Sequence, residues 1–420
     1  MPKKVDLSSK IEKQLPTELV EFMQAAGALA QECGDKLYLV GGVVRDLLLG
    51  RGNLDLDLVV EGDAITLAKQ LGNDRRDNVV IHPRFGTAKV QWYEWSVDIA
   101  TARSETYFKP GALPTVQPGS IKDDLFRRDF TINAMAVELN TGHYGELLDL
   151  YGGVNDLEQR LVRVLHDRSF IDDATRIWRG LRYEQRLSFQ FEADTIKLLK
   201  RDIDMLDTIS GDRIRHELEL ALKEDFPEKV LQRSGELGVL AKLHPALKGD
   251  KWLAEKFAKA RELIAPESPP PALYLALLAY HLSDKEVEQL VVYLRLRKAT
   301  VQILSDTLSC KAKLKSLGES ELKPSRIYAL LHGCSPTALT AGLIAADSPV
   351  AEQHIRLFLD GLRYVKPALT GTDLKKLGVP SGPRMKEILE RLREARLDGK
   401  VKTKRDEEEM VKGVGDGKEF

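Results

Sequence analysis

Residues 54–58 read Leu54-Asp55-Leu56-Asp57-Leu58, and Val59 and Val60 follow. Apolar and acidic residues alternate with a period of two, the pattern of a β-strand with one buried face and one polar face. Residues two apart on a strand share a face with Cα atoms ~6.5–7 Å apart, so Asp55 and Asp57 are expected side by side. Strand propensity disfavours two aspartates so placed unless something compensates. Two carboxylates on a strand with an apolar back can hold a divalent cation. Mg²⁺ takes carboxylate oxygens together with substrate phosphates, and two such ions clamp an in-line phosphoryl displacement. The alternative for the pair taken alone is a solvated sheet face.

Upstream, the apolar run 37–40 ends at Gly41-Gly42, and residues 43–49 read as a helix containing Arg45 and Asp46. A strand that ends in Gly-Gly and opens a helix presents free backbone N–H groups to a phosphate, and Arg45 adds a charge. The alternative is a tight turn. Neither GxGxxG nor GK[ST] is present, so this is not a dinucleotide fingerprint or a P-loop. Downstream, Val97-Asp98-Ile99 places one acid between apolar neighbours. Asp98 reads as a third metal ligand or a general base, or as a capping aspartate.

Further out, residues 16–32 and 64–71 read as helices, and 78–81, 88–92 and 95–100 as strands. Residues 109–120 are rich in Pro and Gly and read as a loop. After Gly152-Gly153 helical periodicity takes over to about residue 395, with helices expected over 172–187, 211–222, 227–237, 273–282 and 285–294. The Pro-rich stretch 266–271 suggests a joint between helical subdomains, with Pro349 and Pro367 as further candidate breaks. Residues 400–420 are charged and Gly-rich.

Over 420 residues, 63 Lys and Arg stand against 64 Asp and Glu, for a net charge of −1. That excludes a uniformly basic nucleic-acid coat but not a local basic face. Three scattered cysteines, Cys33, Cys310 and Cys334, without CxxC argue against a disulfide framework and a zinc ribbon. The N-terminal residues lack the apolar core of a signal peptide, and no apolar run reaches ~18 residues. A reducing cytoplasm and no membrane are expected.

The order GG-x-x-RD, then D-x-D, then a lone acid on a later strand is the pattern of the DNA polymerase beta-type nucleotidyltransferases. The segment 124–136, with Arg127-Arg128-Asp129-Phe130-Thr131-Ile132-Asn133-Ala134, resembles the RRDFTxNA motif of class II tRNA nucleotidyltransferases (CCA-adding enzymes) and bacterial poly(A) polymerases. Residues 148–157 are similar to that family's hinge motif. Residues 170–179 resemble its EDxxR motif, with Asp172 in place of the usual Glu and Ala174 where Pro is common. Residues 212–218 are similar to the motif that buttresses this region, and 371–399 to the tail. The resemblance spans nearly the whole chain.

It implies an α+β protein: a polymerase beta-type nucleotidyltransferase head, a mixed sheet with helices, followed by an elongated all-α neck, body and tail. The expected divisions are a catalytic head over 1–150, a neck with a base-selecting helix over 151–225, a helical body over 226–310 and a tRNA-binding helical tail over 311–420. Asp55, Asp57 and Asp98 are the expected catalytic residues, with Asp55 and Asp57 holding Mg²⁺, two ions per site. Gly41, Gly42, Arg45, Arg127, Arg128, Asp129, Asn133, Asp173, Arg176 and Arg179 are the expected nucleotide-binding set, and Lys375, Lys376, Arg384 and Lys386 the expected tRNA contacts. The reaction implied is untemplated addition of C, A or both from CTP and ATP to the tRNA 3′ end, with release of pyrophosphate. DNA is not an expected partner.

Asp173 and Arg176 also have a physical reading. At i and i+3 of one helix they would share a face and set an acceptor beside a donor. Cytosine and adenine both offer an exocyclic amine beside a ring-nitrogen acceptor, so one pair would suit both. Guanine and uracil would put an acceptor against the carboxylate, and such mismatches are costly.

A poly(A) polymerase is the first alternative. The form of residues 82–88, His82-Pro83-Arg84-Phe85-Gly86-Thr87-Ala88, is the one usual in tRNA enzymes. A non-catalytic RNA-binding protein on the same fold is the second, and it would be favoured by lost carboxylates, of which there are none. The loop 103–120 is present, which favours an ability to add A. His166-Asp167 suggests an HD phosphohydrolase, but no further His/Asp cluster accompanies it.

Overall fold

The computed structural model describes residues 5–72 and 79–415. The chain divides into two compact units, one reaching Asp225 and including Glu236–Lys242, the other made of Phe226–Gly235 and the chain from Leu243.

The first unit opens with α1 (Ser8–Gln14) and α2 (Thr17–Glu32), followed by β1 (Leu37–Val40), α3 (Gly42–Leu49), β2 (Leu56–Val60), α4 (Ala64–Leu71), β3 (Val79–His82), β4 (Thr87–Trp92) and β5 (Trp95–Thr101). Then come β6 (Arg103–Thr106), β7 (Thr115–Pro118), α5 (Ile121–Phe126), β8 (Met135–Glu138), β9 (Leu147–Asp149) and α6 (Gly153–Glu158). A short parallel pair, β10 (Leu161–Val162) and β11 (Gln190–Phe191), brackets α7 (Ser169–Asp172) and α8 (Thr175–Leu187), and α9 (Ala193–Asp202) and α10 (Gly211–Ala221) follow.

Seven strands form one mixed sheet in the order β3-β4-β5-β2-β1-β8-β9. β2 and β5 are parallel, and β1 is antiparallel to both β2 and β8. The pleat then sorts the residues. Leu37, Leu39, Leu56, Leu58, Val60, Val97 and Ile99 share one face and are buried, with α2 and α4 packed on that side. On the other face Tyr38, Val40 and Val59 join Ile121 and Leu125 of α5 in a hydrophobic cluster. That cover stops short of Asp57 and Asp98, which sit opposite each other in register. One end of this face is therefore a core and the other is open.

The strand begins later than its alternation suggests. Leu54 is exposed and Asp55 precedes β2, its N–H donating to Asn53 Oδ1 (3.0 Å). The register with β5 starts only at Leu56 opposite Val97, and the first residues of β5, Trp95 and Ser96, pair with β4 and not with residues 54 and 55.

The segment expected as a loop over 109–120 contributes a strand. β6 and β7 form an antiparallel ribbon, Arg103 opposite Pro118 and Thr106 opposite Thr115. The breakers Pro110, Gly111 and Pro114 cluster at the tip and leave the arms free to pair.

The helix expected over 172–187 is broken. Asp173 has extended backbone angles (φ −144°, ψ 100°) and its carboxylate accepts from Thr175 N–H (3.0 Å) and Oγ1 (2.7 Å). This local bond competes with the helix and splits it into α7 and α8.

The second unit is helical. Its apolar core gathers Cys310, Ile327, Leu331, Leu343, Ile355 and Phe358, and a smaller cluster joins Leu369, Leu374, Ile388 and Leu392. The Pro-rich stretch at 266–271 is a turn between two helices that pack on each other, Lys251–Ile264 and Pro271–Leu278, with the Phe257 and Tyr274 ring centroids 4.3 Å apart. The helix Lys298–Leu317 runs without a break across residue 310, where the body was expected to give way to the tail. Among the described residues no single helix is long and apolar enough to cross a membrane.

α2 lies so close to the end of β8 that a Cβ at Gly27 would sit 2.0 Å from the backbone oxygen of Leu139. Gly27→Ala is expected to lower stability by about 1–3 kcal/mol from overpacking, against the ~1 kcal/mol that alanine gains in an unconstrained helix. Thermal and urea denaturation of the purified variant measures the balance, and an unchanged or raised midpoint would contradict the packing described.

Candidate active site

A cleft of about 660 Å³ opens over the uncovered end of the sheet, lined among others by Gly41, Gly42, Asp55, Asp57, Arg128, Asp173 and Arg176. β1 delivers the chain to it through Gly41, whose φ of +79° suits glycine. A Cβ at Gly41 would also lie 2.9 Å from Arg128 Nη1. Glycine therefore lets the Arg128 guanidinium lie against the backbone.

Asp57 is the electrostatic centre. Burial and then the Asp55 carboxylate push its carboxyl up to about 6; Arg128 and Lys89 work against the shift and Asp98 adds to it. Along the same row, Lys89 on β4 stands opposite Asp98 and donates to its Oδ2 (2.7 Å), both side chains being nearly half exposed. Asp98 does not line the cleft itself; it reaches the site through its neighbour Asp57. Carboxylates gathered in this way form a donor set suited to a divalent cation.

The expected nucleotide-binding residues are held in a chain of bonds. Arg45 is clamped by Asp46 (2.9 Å from Nε and from Nη2) and donates through Nη1 to Asn133 Oδ1 (2.7 Å). Asn133 donates to Asp129 Oδ1 (3.0 Å), and Arg179 donates to Asp129 Oδ2 from Nε (2.8 Å). Burial pushes the Asp129 carboxyl up, but Arg179 and the Asn133 amide outweigh it and hold it below the usual range. Asp129 likewise keeps Arg179 more strongly protonated than a free guanidinium. Arg127 and Arg128 share Asp124, which is fully buried, at 2.7 and 3.0 Å. Arg127 also reaches Glu105 on β6 (2.9 Å).

Asp173 and Arg176 line the same cleft but are not an ion pair on one helix. Arg213 of α10 donates to Asp173 Oδ1 (2.9 Å), while Arg176 Nη2 donates to the backbone oxygen of Arg127 (2.7 Å). The break between α7 and α8 turns the carboxylate away from the i,i+3 geometry and toward α10. Lys375, Lys376, Arg384 and Lys386 lie exposed on the second unit, and Lys386 faces Glu390 at 3.8 Å.

Sequence reasoning left out Glu105, Tyr107, Tyr183 and Glu217, which also line the cleft. Tyr183 had a readable signal, since it follows Arg179 by four residues on α8 and so shares its face. Its ring lies 5.3 Å from the Arg45 guanidinium and 5.8 Å from that of Arg179. Glu105 and Tyr107 carried none, because they reach the cleft through the β6–β7 ribbon.

Fold and site together define a nucleotidyltransferase head followed by helices. Residues 37–163 match the family described as "Poly A polymerase head domain", and residues 188–250 match "Probable RNA and SrmB- binding site of polymerase A". An A-adding tRNA nucleotidyltransferase of Geobacter sulfurreducens is 36% identical over 96% of this chain and 48% of its own length. The chain thus spans about half the length of that relative. A second A-adding tRNA nucleotidyltransferase, from Halalkalibacterium halodurans, is 32% identical over 93% of this chain and 92% of its own. The solved Thermotoga maritima CCA-adding enzyme complexed with tRNA is 30% identical, with a TM-score of 0.79 over 99% of this chain and 100% of that one. The chain belongs to the class II tRNA nucleotidyltransferase family. Nucleotidyltransferases of this superfamily generally use divalent metal ions.

Because Asp55 adds to the upward push on Asp57, removing its charge makes Asp57 easier to ionise. In metal-free protein the Asp57 carboxyl is expected to titrate near 6, and Asp55→Asn to lower that value towards the ordinary carboxylate range. A ¹³C carboxyl NMR titration reads both, and an Asp57 that titrates at the same pH in the variant would show that the two acids do not interact.

Proposed function

We propose that this chain adds adenylate from ATP to the 3′ end of tRNA without a template and releases pyrophosphate. The observation that carries the reading is Asp57 paired in register with Asp98 at the uncovered end of the sheet, with Asp55 beside it in a cleft lined with arginines. The A-adding names of the two relatives support ATP as the substrate. The CCA-adding neighbour favours a second reading, in which CTP is used as well.

Asp55 and Asp57 are the residues that would hold Mg²⁺, two ions in the fullest form of the site. When bound, the metal polarises the α-phosphate and stabilises the attacking and leaving oxygens. Asp98, beside Asp57 in the sheet and held by Lys89, would complete the ligand set or act as base on the attacking 3′-hydroxyl. Arg128 and the backbone at Gly41-Gly42 take the triphosphate, and Arg45 with Asn133 takes the sugar side. Positioning and charge stabilisation supply most of the rate, as is general for phosphoryl and nucleotidyl transfer.

Base choice falls to Asp173 and Arg176. Arg213 and Thr175 occupy Asp173 Oδ1, which leaves Oδ2 to accept from the exocyclic amine of adenine or cytosine. Arg176, anchored on the Arg127 carbonyl, has N–H groups left for the ring nitrogen. Residues 1–150 act as the catalytic head and 151–225 as the neck. The helices beyond residue 226 hold the tRNA by shape and phosphates, with Lys375, Lys376, Arg384 and Lys386 as contacts. A tRNA substrate and three free cysteines fit a reducing cytoplasm.

Incubating the protein with tRNA ending at the discriminator base, at C and at CC, with each triphosphate in turn, separates the readings. Addition of A to the CC end alone supports A-adding activity, addition of all three residues supports the CCA reading, and no addition to any end overturns both. Asp55→Ala and Asp57→Ala are each expected to cut incorporation by about a thousand-fold or more, because several kcal/mol of charge stabilisation go with the metal. Substantial turnover by either variant at saturating Mg²⁺ would overturn the metal assignment. Arg176→Ala is expected to slow ATP use and narrow its advantage over GTP by about ten- to a hundred-fold, the value of a hydrogen bond to a charged group. Single-nucleotide incorporation with all four triphosphates measures this, and unchanged discrimination would remove Arg176 from base selection.

A further inference from the structure

His166, which finds no partners for hydrolase chemistry, has a different neighbourhood. Its ring lies 5.0 Å from that of Phe126 and is tilted to it by 32°. The Tyr151 ring lies 5.8 Å from that of Phe126, and its hydroxyl donates to the backbone oxygen of Lys122 (3.1 Å). Tyr151 is packed against the buried cluster under α5. Phe126, the last residue of α5, is 46% exposed.

Single exposed apolar residues are ordinary and need no explanation. Three grouped rings bordered by cations are another matter. Arg168 is 65% exposed and held by Asp172 at 3.6 Å. Arg201, half exposed, is fixed by Asp202 and donates to the backbone oxygen of Asp167, beside His166 (2.6 Å). Lys122 is exposed as well. Burial, with Arg176 nearby, holds the His166 ring below its usual pKa, so it is a neutral ring at neutral pH.

The patch adjoins the cleft without lining it. Phe126 immediately precedes Arg127, and Arg176 donates to the Arg127 carbonyl. Rings that offer flat faces, beside cations that track a sugar-phosphate backbone, are the equipment of a single-strand binding surface.

We infer that Phe126, backed by His166 and Tyr151, stacks an unpaired nucleobase of the RNA strand whose 3′ end lies in the cleft, while Lys122, Arg168 and Arg201 take the adjoining phosphates. The inference rests on the RNA substrate of the proposed function and adds a second contact point, upstream of the reacting nucleotide. Stacking on a ring tolerates every base, so the patch holds the strand without reading it.

The test uses the full chain and an RNA hairpin with a tRNA acceptor end, carrying 2-aminopurine just upstream of its terminal CC. Binding is followed by fluorescence without metal or nucleotide, and the KM values for RNA and ATP are measured separately. The wild-type protein is expected to quench the 2-aminopurine on binding. Phe126→Ala and Phe126→Leu should both lose most of the quench and raise the RNA KM on the order of ten-fold, the value of one base-aromatic stack, with the ATP KM in place. Phe126→Trp should restore both. Binding of this RNA without quenching, no binding at all, or full quenching and an unchanged RNA KM in Phe126→Leu, overturns the inference. Quenched binding by a wild-type protein that adds no nucleotide sinks the proposed function and leaves the stacking surface standing.

Discussion

The parallel register of β2 and β5 is the constraint on which the rest of the first unit depends. It places Asp57 beside Asp98 in one row of the sheet, with Lys89 on the next strand. Burial first, and then the like charges of Asp55 and Asp98, push the Asp57 carboxyl up. A fold keeps such a cluster only where one side of it can meet positive charge from outside. α5 covers part of this face and stops, so Asp57 looks into a cleft and not into a core.

Around that negative row, arginines in and behind the cleft walls have already found partners. Arg45 with Asp46, Arg127 and Arg128 with Asp124, Arg179 with Asp129, and Arg213 with Asp173 all pair inside the first unit. Breaking a buried pair by removing one partner leaves an uncompensated charge and costs several kcal/mol. The network therefore holds each guanidinium in one place before any anion arrives. Donors fixed in advance need no reorganisation when charge develops on a transferring phosphate. Asp129, itself buried, links Asn133 to Arg179 and so ties the loop after α5 to α8.

The features that were legible in the sequence are local. Alternation over 54–60 announced a strand, Gly41-Gly42 announced a turn opening a helix, and the run 127–134 carried its own signature. Errors came where a local signal was masked by its surroundings. The helical pattern through 172–187 hid the turn at Asp173, because two bonds from Thr175 to its side chain outweigh the propensity of the flanking residues. The breakers at 110–114 disguised two short strands as loop. Asp55 alternates correctly but lies outside the register that pairs β2 with β5.

By itself the sequence determined which chemistries were available: the carboxylates, the paired arginines, the glycine turn, and the change from strand to helical periodicity after residue 153. These rest on residue type and on spacings within one element, where geometry follows from the period alone. Only the tertiary structure decided the partnerships. That Asp98 stands next to Asp57, that Arg213 and not Arg176 holds Asp173, that Glu105 reaches Arg127, and that Phe126 meets His166 all depend on segments brought together by strand order and helix packing. The energies of those contacts fall off within a few ångströms, and no separation along the chain encodes which distant residue will fill them.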